Sequence, residues 1–111
     1  MQLTEIARTL DLTARSGEQH LSRDVAGGCV SDLLSYAMAN AHAGDVWITI
    51  QVHPNIVGVA ELLDLTAVIV AGGQEPEKAT LDKAKEQGIA ILTSRETAFT
   101  LAGRLYELGV R

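Results

Sequence analysis

From residue 24 onward the chain repeats one rhythm four times: an apolar, strand-like run, a short break, then a helical segment. Asp24 to Val30 reads as a strand through Gly27-Gly28, and Ser31 caps a helix to about Ala41, stopped by Ala43-Gly44. Asp45 to Val52 (DVWITIQV) is rich in β-branched and aromatic residues, the composition that suits a pleated, buried surface. Pro54 then takes the first-turn position of a helix reaching about Asp64, because its ring presets φ and its missing N–H is not needed there. Ala67 to Ala71 (AVIVA) is a wholly apolar strand, followed by Gly72-Gly73 and a helix opened by Pro76 and closed by Gly88 after Gln87. Ile89 to Leu92 is the last strand, and Thr93 with Glu96 has capping-box spacing for a helix to Leu108, stopped by Gly109. Ahead of the rhythm, residues 3–10 read as a short helix with Thr4 as N-cap. Residues 12–16 read as a short strand, and Glu18 to Arg23 as a connection.

Strand–helix alternation of this kind predicts an α/β fold: a mainly parallel sheet of four to five strands with helices on both faces, joined by right-handed crossovers. At 111 residues the chain is the size of one domain, spanning 1–111. Hydrophobic residues are 47% and aromatics only 4%, so the core is built from Leu, Ile, Val and Ala, as in sheets buried on both sides.

Charge narrows the function classes. The formal net charge is -5, with no run of Lys or Arg, so neither a nucleic acid nor an anionic membrane is an expected partner. Cys29 is the only cysteine, which leaves no internal disulfide. The first twelve residues are a polar helical pattern rather than a signal peptide, and no apolar stretch reaches the ~20 residues of a membrane helix; the expected location is cytoplasmic.

In a parallel sheet every strand-to-helix turn falls at the carboxyl edge of the strands. Four turns are expected there: Gly27 to Ser31, Val52 to Asn55, Ala71 to Pro76 and Thr93 to Glu96. Free N–H groups at helix N-termini favour phosphates and carboxylates. The candidate ligand-binding residues are therefore Gly72, Gly73, His53, Ser31, Ser94 and Arg95. The glycines, His53 and Arg95 also have plain readings. The glycines make a tight turn, His53 finishes one, and Arg95 is an ordinary exposed arginine. A catalytic His53 would need a positioned partner, and the sequence offers none. No two histidines have metal-ligand spacing, so neither metal nor cofactor is expected. Phosphate-loop, dinucleotide, nucleophile-elbow and zinc-protease signatures are all missing, and the chain is read as non-catalytic. Cys29 is expected to be a small buried hydrophobe.

The Ser31–Ala41 segment is apolar around most of its circumference, with Asp32 its lone charge. Such a helix is either sandwiched inside the domain or meets a partner, and a homodimer is expected. The Arg95–Leu108 segment, with Phe99, Leu101, Leu105 and Tyr106, is the second candidate for that interface.

The segment ITIQVHPNIVGVAELLDLTAVIVAGGQEPEKATLDKAKEQGIAILTSRETAF resembles the DRTGG domain family, over roughly residues 20–108. That family is similar to the N-terminal domain of HPr kinase/phosphorylase. Its Gly pair is kept as Gly72-Gly73, its Thr position is Ala71, and where an Asp-Arg pair would fall the chain has Val52-His53. The resemblance implies an HPr kinase N-terminal-domain-like fold and a stand-alone regulatory or sensing module that binds a small anionic ligand, with nucleotides among the candidates. The alternative it implies is an interaction or assembly module that dimerises or docks on a larger enzyme, such as a hydrogenase or sensor-kinase system, and binds nothing small. An enzyme using His53 ranks last.

Overall fold

Two apolar layers, one on each side of a five-stranded sheet, organise the computed structural model, which describes residues 1–111. Helix α1 (Leu3–Thr9) and strand β1 (Thr13–Ser16) come first, then a 3-10 turn at Glu18–His20. Four strand–helix units follow: β2 (Gly27–Val30) with α2 (Leu34–Asn40), β3 (Asp45–Thr49) with α3 (Asn55–Leu63), β4 (Ala67–Val70) with α4 (Lys78–Gln87), and β5 (Ile91–Thr93) with α5 (Ala98–Glu107). The strand order is β1-β5-β4-β3-β2. Strands β2 to β5 run parallel in sequence order, and β1 joins β5 antiparallel. No helix is long and apolar enough to cross a membrane.

The central strands alternate sides with period two. Val46, Ile48, Ala67, Ile69 and Leu92 face α1 and α5, whereas Trp47, Val68, Val70 and Ile91 face α2, α3 and α4. Both faces are buried, which is why β3 and β4 read as unbroken apolar runs. Helices α1, α3, α4 and α5 end alike. Asp11, Asp64, Gly88 and Gly109 have positive φ, and the N–H groups of Leu12, Leu65, Ile89 and Val110 reach back to carbonyls five residues earlier. This turn satisfies the last carbonyls and returns an apolar residue to the core.

Several element ends differ from the sequence expectation, each for a local reason. Helix α2 begins at Leu34 rather than Ser31. The Ser31 hydroxyl accepts from the Leu33 N–H at 3.1 Å, and the Asp32 carboxylate accepts from the Ile50 N–H at 2.8 Å, so both hold a loop. Helix α5 begins at Ala98, capped by Thr97, whose oxygen accepts from the Thr100 N–H. Thr93 is instead the last residue of β5. Helix α4 starts at Lys78, two residues after Pro76, because Glu77 is still extended. Thr4 lies inside α1 and donates its hydroxyl to the Leu21 carbonyl at 2.7 Å, while Gln2 occupies the N-cap position.

Strand β1 is held on β5 by a side chain where the ladder breaks. The register shifts between Ala14 and Ser16, and the fully buried Ser16 hydroxyl accepts from the Ile91 N–H at 3.1 Å and donates to the Ile89 carbonyl at 2.9 Å. Gly17 then lies flat on the next strand: a Cβ there would sit 2.6 Å from the Ala90 Cα, and its φ is +70°. Only glycine fits both conditions.

Candidate functional site

The connection after β4 leads to α4 on one face of the sheet, and the connection after β5 leads to α5 on the other. Adjacent parallel strands whose connections part in this way leave a crevice at their carboxyl ends, the usual ligand position in open α/β sheets. Here the crevice is a cleft of about 730 Å³. The loop after β4 contributes Gly73, Gln74 and Glu75; the end of β5 and its loop contribute Thr93, Ser94, Arg95 and Glu96. Strand β1 adds Thr13 and Arg15, the end of α1 adds Leu10 and Asp11, and α5 adds Arg104.

Three arginines and three carboxylates line this cleft, and four of the six are paired. Arg104 grips both oxygens of Glu96 at 2.8 and 2.9 Å and donates to the Thr9 carbonyl at 2.9 Å, tying α5 to the end of α1. Arg15 on β1 pairs with Glu75 of the β4 loop, bridging the cleft on the α4 side. Arg95 and Asp11 make no ion pair and no side-chain hydrogen bond. Arg95 is exposed, so its guanidinium is the free cation of the site.

Of the six residues singled out from the sequence, the structure brings Gly73, Ser94 and Arg95 into the cleft. Gly72 adjoins it, and both glycines sit at φ +72°. Their N–H groups are already engaged: Gly72 donates to the Glu96 carbonyl at 2.8 Å, and Gly73 to the Ser94 carbonyl at 2.9 Å. The glycine pair thus laces the β4 loop to the β5 loop instead of presenting free donors. A Cβ on Gly73 would touch nothing within 4 Å, so it is backbone conformation, not close approach, that calls for glycine there.

Ser31 and His53 stand apart, at the ends of β2 and β3. Ser31 makes the turn before α2, and its carbonyl accepts from the indole N–H of buried Trp47 at 2.8 Å. The exposed His53 ring accepts the Asn55 N–H through Nδ1 at 3.1 Å, a cap on the first turn of α3. Cys29 is buried against the α2–α3 layer, and burial, with the Asp45 carboxylate adding to it, pushes the thiol pKa up. A raised pKa disfavours the nucleophilic thiolate.

Asp11, Arg15, Glu75 and Arg104 carry no sequence motif. Two of them, Asp11 and Arg15, reach the cleft because β1 folds back antiparallel beside β5 and α1 precedes it there; Glu75 comes from the β4 loop and Arg104 from α5. Their one sequence-level sign is weak: Thr13-Ala14-Arg15-Ser16 is an unusually polar strand, as befits an edge.

A solved structure with a similar fold comprises the CBS and DRTGG domains of the regulatory region of a Clostridium perfringens pyrophosphatase, complexed with its activator diadenosine tetraphosphate. The two chains superpose with a TM-score of 0.73 at 25% identity, over 94% of this chain and 45% of that one. The present chain therefore spans less than half the length of that neighbour. The likeness supports a DRTGG-like α/β fold and a neighbour whose role is regulatory rather than catalytic. No family model and no curated protein matches the sequence.

Proposed function

We propose that this chain is a non-catalytic regulatory module that binds a small phosphate-bearing ligand in the cleft between the β4 and β5 loops. The observation that carries the reading is Arg95: an unpaired, exposed guanidinium in a 730 Å³ cleft at the point where the sheet's connections part. A guanidinium with free donors suits a phosphate or carboxylate, which it can hold through two parallel hydrogen bonds. Ser94 and Thr93, beside it, add hydroxyls. The regulatory region of the pyrophosphatase binds a nucleotide activator, which makes nucleotides one class to be tried on this chain. Kinship with the DRTGG family and with the N-terminal domain of HPr kinase/phosphorylase belongs to the same proposal.

Its test is a thermal-shift comparison of wild type and Arg95→Ala against diadenosine tetraphosphate, AMP, ribose 5-phosphate and inorganic phosphate. A compound that binds only the folded chain raises the melting point. At least one is expected to do so in wild type, with affinity reduced about tenfold or more in Arg95→Ala. The reading fails if none does, or if both proteins respond alike.

A second reading has its own support, at the other end of the sheet. Leu33, Tyr36 and Met38, in and just before α2, are between 46% and 64% exposed. Residues 25–60 carry only two charged side chains, Asp32 and Asp45, and both are occupied by backbone N–H groups. Two copies of a chain with net charge -5 repel each other least where such charge is lacking. We propose a homodimer formed through this face. Docking on a larger enzyme is the competing use of the same surface.

A further inference from the structure

The two unpaired charges of the cleft have opposite signs, and this bears on the class of ligand. Asp11, in the turn just before β1, and Arg95, in the turn just after β5, both line the cleft, beside strands that pair antiparallel through Thr13 and Thr93. The two form no ion pair. Asp11 moreover holds a left-handed backbone, φ 55°, at a helix end where Gly88 and Gly109 serve elsewhere in this chain. Glycine is the residue that takes this backbone without steric penalty. Asp64, in the matching position after α3, recovers something through Arg23 at 3.4 Å; Asp11 has no such partner.

The remaining lining is nearly all polar: of twelve residues only Leu10 is apolar, and none is aromatic. A nucleobase binds by laying its flat face on aromatic or apolar side chains, and none converge here. The cleft is also far larger than a bare phosphate requires, falling within the ~300–1,000 Å³ of sites that enclose whole small molecules. Carboxylates, in turn, are the usual acceptors for paired sugar hydroxyls.

Resting on the proposed phosphate site, we infer that its ligand is a phosphorylated, hydroxyl-rich small molecule of the sugar-phosphate class, with its phosphate on Arg95 and its hydroxyls on Asp11. Thr13, Gln74 and Thr93 extend the polar wall for further hydroxyls. The Arg15–Glu75 pair is a built-in competitor: an anionic group reaching Arg15 must displace Glu75 from it.

Ribose 5-phosphate, inorganic phosphate, AMP and glutamate, titrated separately into the full chain by calorimetry and thermal shift, separate the ideas. Ribose 5-phosphate at ten times its dissociation constant is expected to raise the melting point by about 5 °C. It should bind at least about tenfold more tightly than inorganic phosphate, and AMP should gain nothing over it. Asp11→Gly suits the left-handed backbone and removes only the carboxylate, so it should fold as well as wild type. It should lose the preference for ribose 5-phosphate while retaining the response to phosphate. If AMP or glutamate binds more tightly than ribose 5-phosphate, or if Asp11→Gly leaves the preference unchanged, the inference is overturned while the Arg95 site stands. If no phosphate compound binds at all, both fall.

Discussion

The two ends of the sheet are built on opposite plans. At the β1–β5–β4 end the lining is charged and polar, and loops are laced to each other by backbone hydrogen bonds such as those of Gly72 and Gly73. At the β2–β3 end the buried side chains are mostly apolar. Trp47 is fully buried beneath α2 and α3, and on the other face a groove of about 230 Å³ runs between Val30, Ile48, Ala102 and Tyr106. On the α1–α5 side only two helices cover the sheet, and α5 flanks the groove at its β2 edge. The lesson is one of division of labour. A solvated cleft lined by polar groups adds little hydrophobic stabilisation of its own, whereas the end that holds Trp47 buries the largest side chain of the core.

That contrast can be broken by substitution. Trp47→Ala removes the largest buried side chain and the hydrogen bond to the Ser31 carbonyl, and should cost about 3–5 kcal/mol in urea-induced unfolding. Arg15→Ala, at the polar end, should cost less than about 1 kcal/mol, because its ion pair is largely solvated. Comparable losses from the two would end the idea of a stabilising end and a binding end.

Assembly sharpens the comparison further. Tyr36→Asp places a charge on an apolar face that is half exposed in the single chain, so the fold should survive while association weakens by at least about tenfold. Light scattering should report twice the chain mass for wild type and a single chain for the variant. A wild-type monomer at high concentration would leave the exposed α2 face without a partner copy.

Smaller effects are expected at the cleft and beside it. Glu75→Gln frees Arg15 from its ion pair and should tighten phosphate-ligand binding about three- to fivefold in titration calorimetry, with a stability change under about 1 kcal/mol. Weaker binding would mean that Glu75 contacts the ligand rather than competing with it. The smallest effect belongs to His53→Ala. Loss of one cap to the Asn55 N–H should lower stability by about 0.5–1 kcal/mol and leave the ligand response within about twofold, since His53 lies outside the cleft. A lost response would instead place the ligand across the ends of β3 and β4.

The amino-acid pattern alone determined the α/β class, the four strand–helix units and the buried β3 and β4, because hydrophobic period and glycine or proline breaks are local properties of the chain. It placed three cleft residues, Gly73, Ser94 and Arg95, for the same reason: each follows directly from the end of a strand. Tertiary structure alone decided the rest. The antiparallel return of β1 depends on Ser16 and Gly17 meeting Ile89, Ala90 and Ile91, more than seventy residues away, and no local signal records such a meeting. That return brings Asp11 and Arg15 to the site and leaves Ser31 and His53 outside it. Strand order is a long-range outcome, fixed by which apolar faces fit together, and it settled which of four equivalent-looking turns could share a cleft.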